Sequence, residues 1–134
     1  MRKILSIDDN PQVLKSLQAS LRHFGYEVLV TSNPHEVADI LAKNDISLVM
    51  LDICMPEKDG FEIFEDLKKN HANLPVLFCT AYPKSFSMTT DERIKMWQEH
   101  FADGITDIIY KPFGVKALCD KVESLIGPSQ EVEK

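Results

Sequence analysis

The chain reads as an open α/β sheet with helices packed on both faces. Three observations carry that reading. Strand-patterned and helix-patterned segments alternate five times along the sequence. Several strand segments are near-continuous apolar runs, above all ISLVMLD (46–52) and PVLFCTA (75–81), as expected where a sheet is covered on both faces. Two helix starts use one device, an asparagine followed by a proline, at Asn10-Pro11 and Asn33-Pro34. Asparagine caps the orphan amides of a first turn, and proline suits the first helical position, where no N–H is needed.

Lys3 to Ile7 is the first predicted strand. Leu14, Leu17, Leu21 and Phe24 then recur at helical spacing, and Gly25 supplies the stop. Glu27 to Val30 is the second strand, and Val37, Ile40 and Leu41 mark the second apolar stripe. The run 46–52 is the third strand, MPEKDG a loop, and Phe61, Ile63, Phe64 and Leu67 the face of a third helix. The run 75–81 is the fourth strand, and DIIYKPF (107–113) holds the fifth. Val115, Leu118, Val122 and Leu125 give a last helix, closed by Gly127-Pro128.

The 134 residues form one domain with enough chain to bury a sizeable core. Fifteen Lys and Arg against 21 Asp and Glu leave a net charge of −6, with no basic run or stripe. That excludes direct grip on a nucleic-acid backbone as the expected role. The sequence contains neither a membrane-span-length apolar stretch nor a signal peptide at MRKILSIDD. Cys54, Cys79 and Cys119 are odd in number and make no CxxC pair. They are expected to be reduced packing residues of a cytoplasmic protein. His23, His35, His71 and His100 show no metal-ligand spacing.

The chemistry lies at the strand ends. An open α/β sheet gathers its functional groups outside the carboxyl ends of its strands. In order, those ends are Asp8 and Asp9, then Asp52, Thr80 and Lys111. Three crowded carboxylates call for a hard cation such as Mg²⁺. Strand one leads into DDNPQ, without a glycine-rich turn or Gly-Lys-Ser/Thr, so no bound nucleotide is implied. Asp52 is the natural acceptor for an aspartyl phosphate. Thr80 is suited to hydrogen-bond a phosphoryl oxygen, and Lys111 to supply a point charge.

With Asp8-Asp9, LDICMPEKDGF from Leu51, Thr80-Ala81 and Lys111-Pro112-Phe113 in this order, the chain resembles the receiver domains of bacterial response regulators over roughly residues 2 to 126. Each motif is weak alone; the four together at successive strand ends are specific. The resemblance implies a flavodoxin-like, doubly wound, five-stranded parallel sheet of strand order 2-1-3-4-5. It implies a receiver unit over 1–127, with 128–134 a polar tail or the start of a linker. Asp52 would be the phosphorylation site, with Thr80 and Lys111 as the other catalytic residues. Asp9, Asp52 and the backbone carbonyl of Cys54 would bind Mg²⁺ directly, with Mn²⁺ as the alternative ion, and Asp8 would act through water. Pro112 would follow a cis peptide. The donor would be a sensor histidine kinase or a His-phosphotransfer protein. The output would pass to an attached domain, a partner protein or a homodimer formed on phosphorylation. Such a domain is no conventional enzyme and catalyses only its own phosphorylation and dephosphorylation.

Two features depart from the family pattern. The stretch between Thr80 and Lys111 is longer, by about two helical turns, which lengthens the region of the fourth strand and fourth helix. Within it Thr89 and Glu92 make a capping box, and Ile94, Trp97 and Phe101 an apolar stripe. The reading favoured for this stretch is a longer fourth helix on its own sheet. The other is a docking face that includes Phe86, Met88 and Met96. Secondly, the family's switch aromatic is replaced by Ile108, a β-branched residue with no ring to turn inward, so switching would rest on Thr80. Tyr110 has the same strand parity as Ile108.

Three other readings fit these residues less well. A haloacid-dehalogenase-like phosphatase or phosphotransferase expects a second acid two residues after the nucleophile, and Cys54 stands there. A flavin carrier would need a phosphate-cradling loop where the chain has two aspartates. A phosphorylation-independent scaffold would not need the complete set Asp8, Asp9, Asp52, Thr80 and Lys111.

Overall fold

The computed structural model describes residues 2–52, 60–80, 105–110 and 113–127. The elements are β1 (Lys3–Ile7), α1 (Pro11–His23), β2 (Glu27–Thr31), a 3-10 turn (Pro34–Glu36) running into α2 (Val37–Lys43), β3 (Leu48–Leu51), α3 (Gly60–Asn70), β4 (Val76–Thr80), β5 (Thr106–Tyr110) and a C-terminal helix (Val115–Ile126). The five strands are all parallel, in the order β2-β1-β3-β4-β5.

Side-chain alternation divides the core in two. Leu5, Ile7, Val49, Leu51, Val76 and Phe78 pack on one face, against Val37 of α2 and Ile63, Phe64 and Leu67 of α3. Ile4, Val28, Met50, Leu77 and Ile109 pack on the other, against α1 and Leu118, Cys119 and Val122 of the C-terminal helix. Each fully buried Leu or Phe contributes about 1.5–3 kcal/mol relative to an exposed one. Phe64 and Phe78 meet with ring centroids 5.0 Å apart and tilted planes. Ile108 is half-buried against the α2–α3 side.

Both asparagine caps form. The Asn10 side chain accepts from the N–H groups of Gln12 and Val13, and the Asn33 side chain from that of His35. Helix α1 ends in a Schellman motif: Tyr26 N–H donates to Leu21 O and Gly25 N–H to Arg22 O, with Gly25 at φ 93°. This turn corrects one expectation. Tyr26, rather than Phe24, closes the apolar stripe beside Leu21, and Phe24 is 47% exposed, edge-on to His23. Val115 is likewise 44% exposed at the start of its helix. The third strand is shorter than its apolar run, because pairing begins at Leu48.

Strand register sets up the site. Thr31, Ile7, Leu51, Phe78 and Ile108 fall on one row across the sheet. Asp8 and Asp52 follow one residue beyond that row, and Thr80 two beyond, all on the carboxyl rim. Residues 53–59, including Cys54, residues 81–104, Lys111, Pro112 and residues 128–134 lie outside the described residues.

Candidate functional site

On this rim the carboxylates of Asp8, Asp9 and Asp52 converge, with one oxygen of each within 4.8 Å of the others. Asp8 is 2% exposed and Asp52 7%, whereas Asp9 is exposed. The strands account for this convergence. Parallel pairing of β1 with β3 brings their ends together, and Asp52 N–H donates to Ile7 O at 3.0 Å. Asp8 N–H donates to Thr31 O at 3.3 Å, tying it to the end of β2.

The donor set fits a hard divalent cation. Carboxylate oxygens are the ligands that Mg²⁺ prefers, and three negative charges gathered partly away from water require an opposite charge nearby. Thr80 closes β4, one strand over from Asp52, and is described by its backbone alone. Among the described residues, then, the structure brings together Asp8, Asp9 and Asp52 and places the Thr80 backbone on the same rim.

Sequence reasoning did not anticipate what surrounds Asp8. Asn10 N–H donates to Asp8 Oδ1 at 3.0 Å, an Asx turn leading into α1. On the other side, the Thr31 hydroxyl accepts from Asn33 N–H at 3.0 Å and donates to Glu36 Oε2 at 2.9 Å. The available signal was an aspartate two residues before a helix cap, a position that favours side-chain-to-backbone turns.

The family model for the response regulator receiver domain matches residues 4–123. This chain belongs to that family. The receiver domain is 31% identical over 130 residues to the probable transcriptional regulator ycf27 of Porphyra purpurea, covering 97% of this chain and 49% of that protein. It is 28% identical over 126 residues to the response regulator SaeR of Staphylococcus aureus, covering 94% of this chain and 51% of that protein. The chain thus spans about half the length of these curated relatives. Among solved structures, the response regulator protein TrrA of Thermotoga maritima, in complex with Mg²⁺–BeF, superposes with a TM-score of 0.75 at 26% identity. That match covers 93% of this chain and 99% of TrrA. The receiver domain is therefore a signalling module of two-component systems, with the sheet order expected from its sequence. Among the described residues no helix is long and apolar enough to cross a membrane.

Proposed function

We propose that this receiver accepts a phosphoryl group on Asp52 in a Mg²⁺-dependent reaction. The observation that carries the proposal is the convergence of Asp8, Asp9 and Asp52 at the carboxyl ends of neighbouring strands. A carboxylate oxygen of Asp52 attacks phosphorus, the P–N bond of a phosphohistidine breaks, and its electron pair returns to the imidazole. Water later attacks the same phosphorus, restoring the carboxylate and releasing inorganic phosphate.

Asp9, Asp52 and the Cys54 carbonyl would hold the cation, with Asp8 acting through water. When bound, the cation shields the incoming phosphoryl oxygens from the carboxylates. Thr80 would donate a hydrogen bond to a phosphoryl oxygen, and Lys111 would balance its charge. Mn²⁺ has the same preference for oxygen ligands.

The donor fits a sensor histidine kinase or a His-phosphotransfer protein. Phosphorylation adds up to about two negative charges at the rim. Drawing Thr80 toward them would shift the population of β4 and the segment beyond it. The output would pass to an attached domain, as the length of the relatives suggests, to a separate partner, or to a second copy of the chain. Residues 1–127 would be the working unit and 128–134 a polar tail or linker, in the cytoplasm.

Incubation with acetyl phosphate and Mg²⁺ should add one phosphoryl mass to the wild type and none to Asp52→Ala. Label on a histidine, or equal labelling of the variant, would overturn the assignment.

A further inference from the structure

Asp8 is held from two directions. Its backbone N–H is tied to Thr31 O, and its Oδ1 accepts from Asn10 N–H at 3.0 Å. The Asn10 peptide is itself fixed by the first turn of α1. The Asn10 side-chain oxygen accepts from Gln12 N–H at 2.9 Å and Val13 N–H at 3.4 Å, and its backbone carbonyl accepts from Leu14 N–H at 3.1 Å. Pro11 brings no donor and a restricted φ, so Gln12 and Val13 are the first amides of the turn that need a partner. Asn10 supplies it from an extended conformation, φ −100° and ψ 108°. The same residue therefore closes α1 and aims a backbone donor at the most buried carboxylate of the acidic site.

We propose that Asn10 is a positioning residue for that site: its cap on α1 orients the N–H that holds Asp8, and so couples cation binding to the first turn of α1. The inference rests on the Mg²⁺ site proposed above. Loss of the cap leaves Gln12 and Val13 to water, loosens the Asn10 peptide, and lets the Asp8 carboxylate sample orientations that do not face the cation. Part of the binding free energy then goes into reordering it. By linkage, the cation must strengthen the cap as much as the cap strengthens cation binding.

Mg²⁺ alone is the probe, titrated calorimetrically well below the melting temperature. Asn10→Ala should bind about threefold to tenfold more weakly, the order of a lost helix cap carried into binding. Asn10→Ser, whose hydroxyl also caps, should recover affinity to within about twofold of wild type. In the unmodified protein, Mg²⁺ should slow hydrogen exchange at the Gln12 and Val13 amides relative to EDTA, a readout that needs no variant to fold. A lower melting temperature for Asn10→Ala with unchanged Mg²⁺ affinity would overturn the positioning role while leaving the metal site standing. Exchange at Gln12 and Val13 that ignores a bound Mg²⁺ would do the same. A wild type that binds no Mg²⁺ would overturn the site itself, and this inference with it.

Discussion

At the carboxyl end of the sheet, three carboxylates crowd within 4.8 Å of one another, two of them almost wholly buried. At the amino end, the groups that meet satisfy each other. Tyr26 donates its hydroxyl to Gly127 O at 3.0 Å, Glu27 N–H donates to Arg2 O at 3.0 Å, and Gly127 N–H returns to Glu123 O at 2.8 Å. Gly127 ends the C-terminal helix at φ 80°, and the Arg2 guanidinium lies 3.7 Å from where a side chain would begin there. The two ends share the same strands, so the fold alone does not explain the difference. Conflicts with local stability gather where a protein works. The rim gathers three acidic side chains at one point, whereas the amino end joins its groups through complementary hydrogen bonds.

The sharpest way to break this contrast is to mutate each end and follow phosphoryl uptake. Asp52→Ala should abolish uptake from acetyl phosphate, whereas Tyr26→Phe should leave its extent unchanged. Mass spectrometry of the intact chain reads both. Loss of uptake in Tyr26→Phe while it remains folded would show that the ends are not separable.

The next effect concerns stability. Mg²⁺ at about a hundredfold over its Kd should stabilise the wild type by about 2.7 kcal/mol, roughly 10 °C in melting temperature. Asp9→Asn removes one of three like charges, so it should melt higher than wild type in EDTA and lose most of the Mg²⁺ gain. A melting curve for wild type that ignores Mg²⁺ would remove the case for a cation at the rim.

Both ends were partly legible in the sequence. The rim is legible because strands end abruptly at polar residues, and parallel pairing of β1 with β3 puts Asp8, Asp9 and Asp52 at one edge. Their unequal burial was not readable, because it depends on how the chain turns after Ile7. The bond from Asn10 to Asp8 escaped for a related reason: its donor is a backbone N–H, which every residue but proline carries. At the amino end, Gly25 announced the end of α1, but helical spacing put Phe24 in the core. The Schellman turn gives that place to Tyr26, because its 6→1 bond sets Tyr26 over Leu21. Spacing also overcounted Val115, since a residue in the first turn of a helix can overhang the sheet it covers. Apolar character overran the third strand, since Ile46 packs against the core without joining the ladder.

A smaller effect tests the amino end by itself. Tyr26→Phe keeps the buried ring and deletes the hydroxyl that serves Gly127 O. It should cost about 1 kcal/mol, or roughly 4 °C in melting temperature, with the Mg²⁺ gain intact. A variant as stable as wild type would mean that the Gly127 carbonyl finds another donor.

The smallest effect is alkaline and comes from the same corner. Burial raises the Tyr26 hydroxyl above its ordinary value of 10.0; nearby Glu123 and Cys119 raise it further, and Arg2 opposes them. Burial also raises the Cys119 thiol above 9.0, helped by Asp120 and Glu123. In both groups the neutral form is the one the folded chain prefers. A raised folded pKa gives a contribution fully present below the unfolded pKa, which is lost as pH rises through the folded value. Stability should therefore hold up to about pH 9 and then decline, the thiol acting first and the phenol from about pH 10. Urea unfolding across that range should show a shallower decline above about pH 10 for Tyr26→Phe, since its ring has no proton to lose. Cys119→Ala should remove the earlier part of the decline and leave the later part. If the double variant declines as steeply as the wild type, the alkaline loss arises elsewhere, and the amino end is not the titrating region of this receiver.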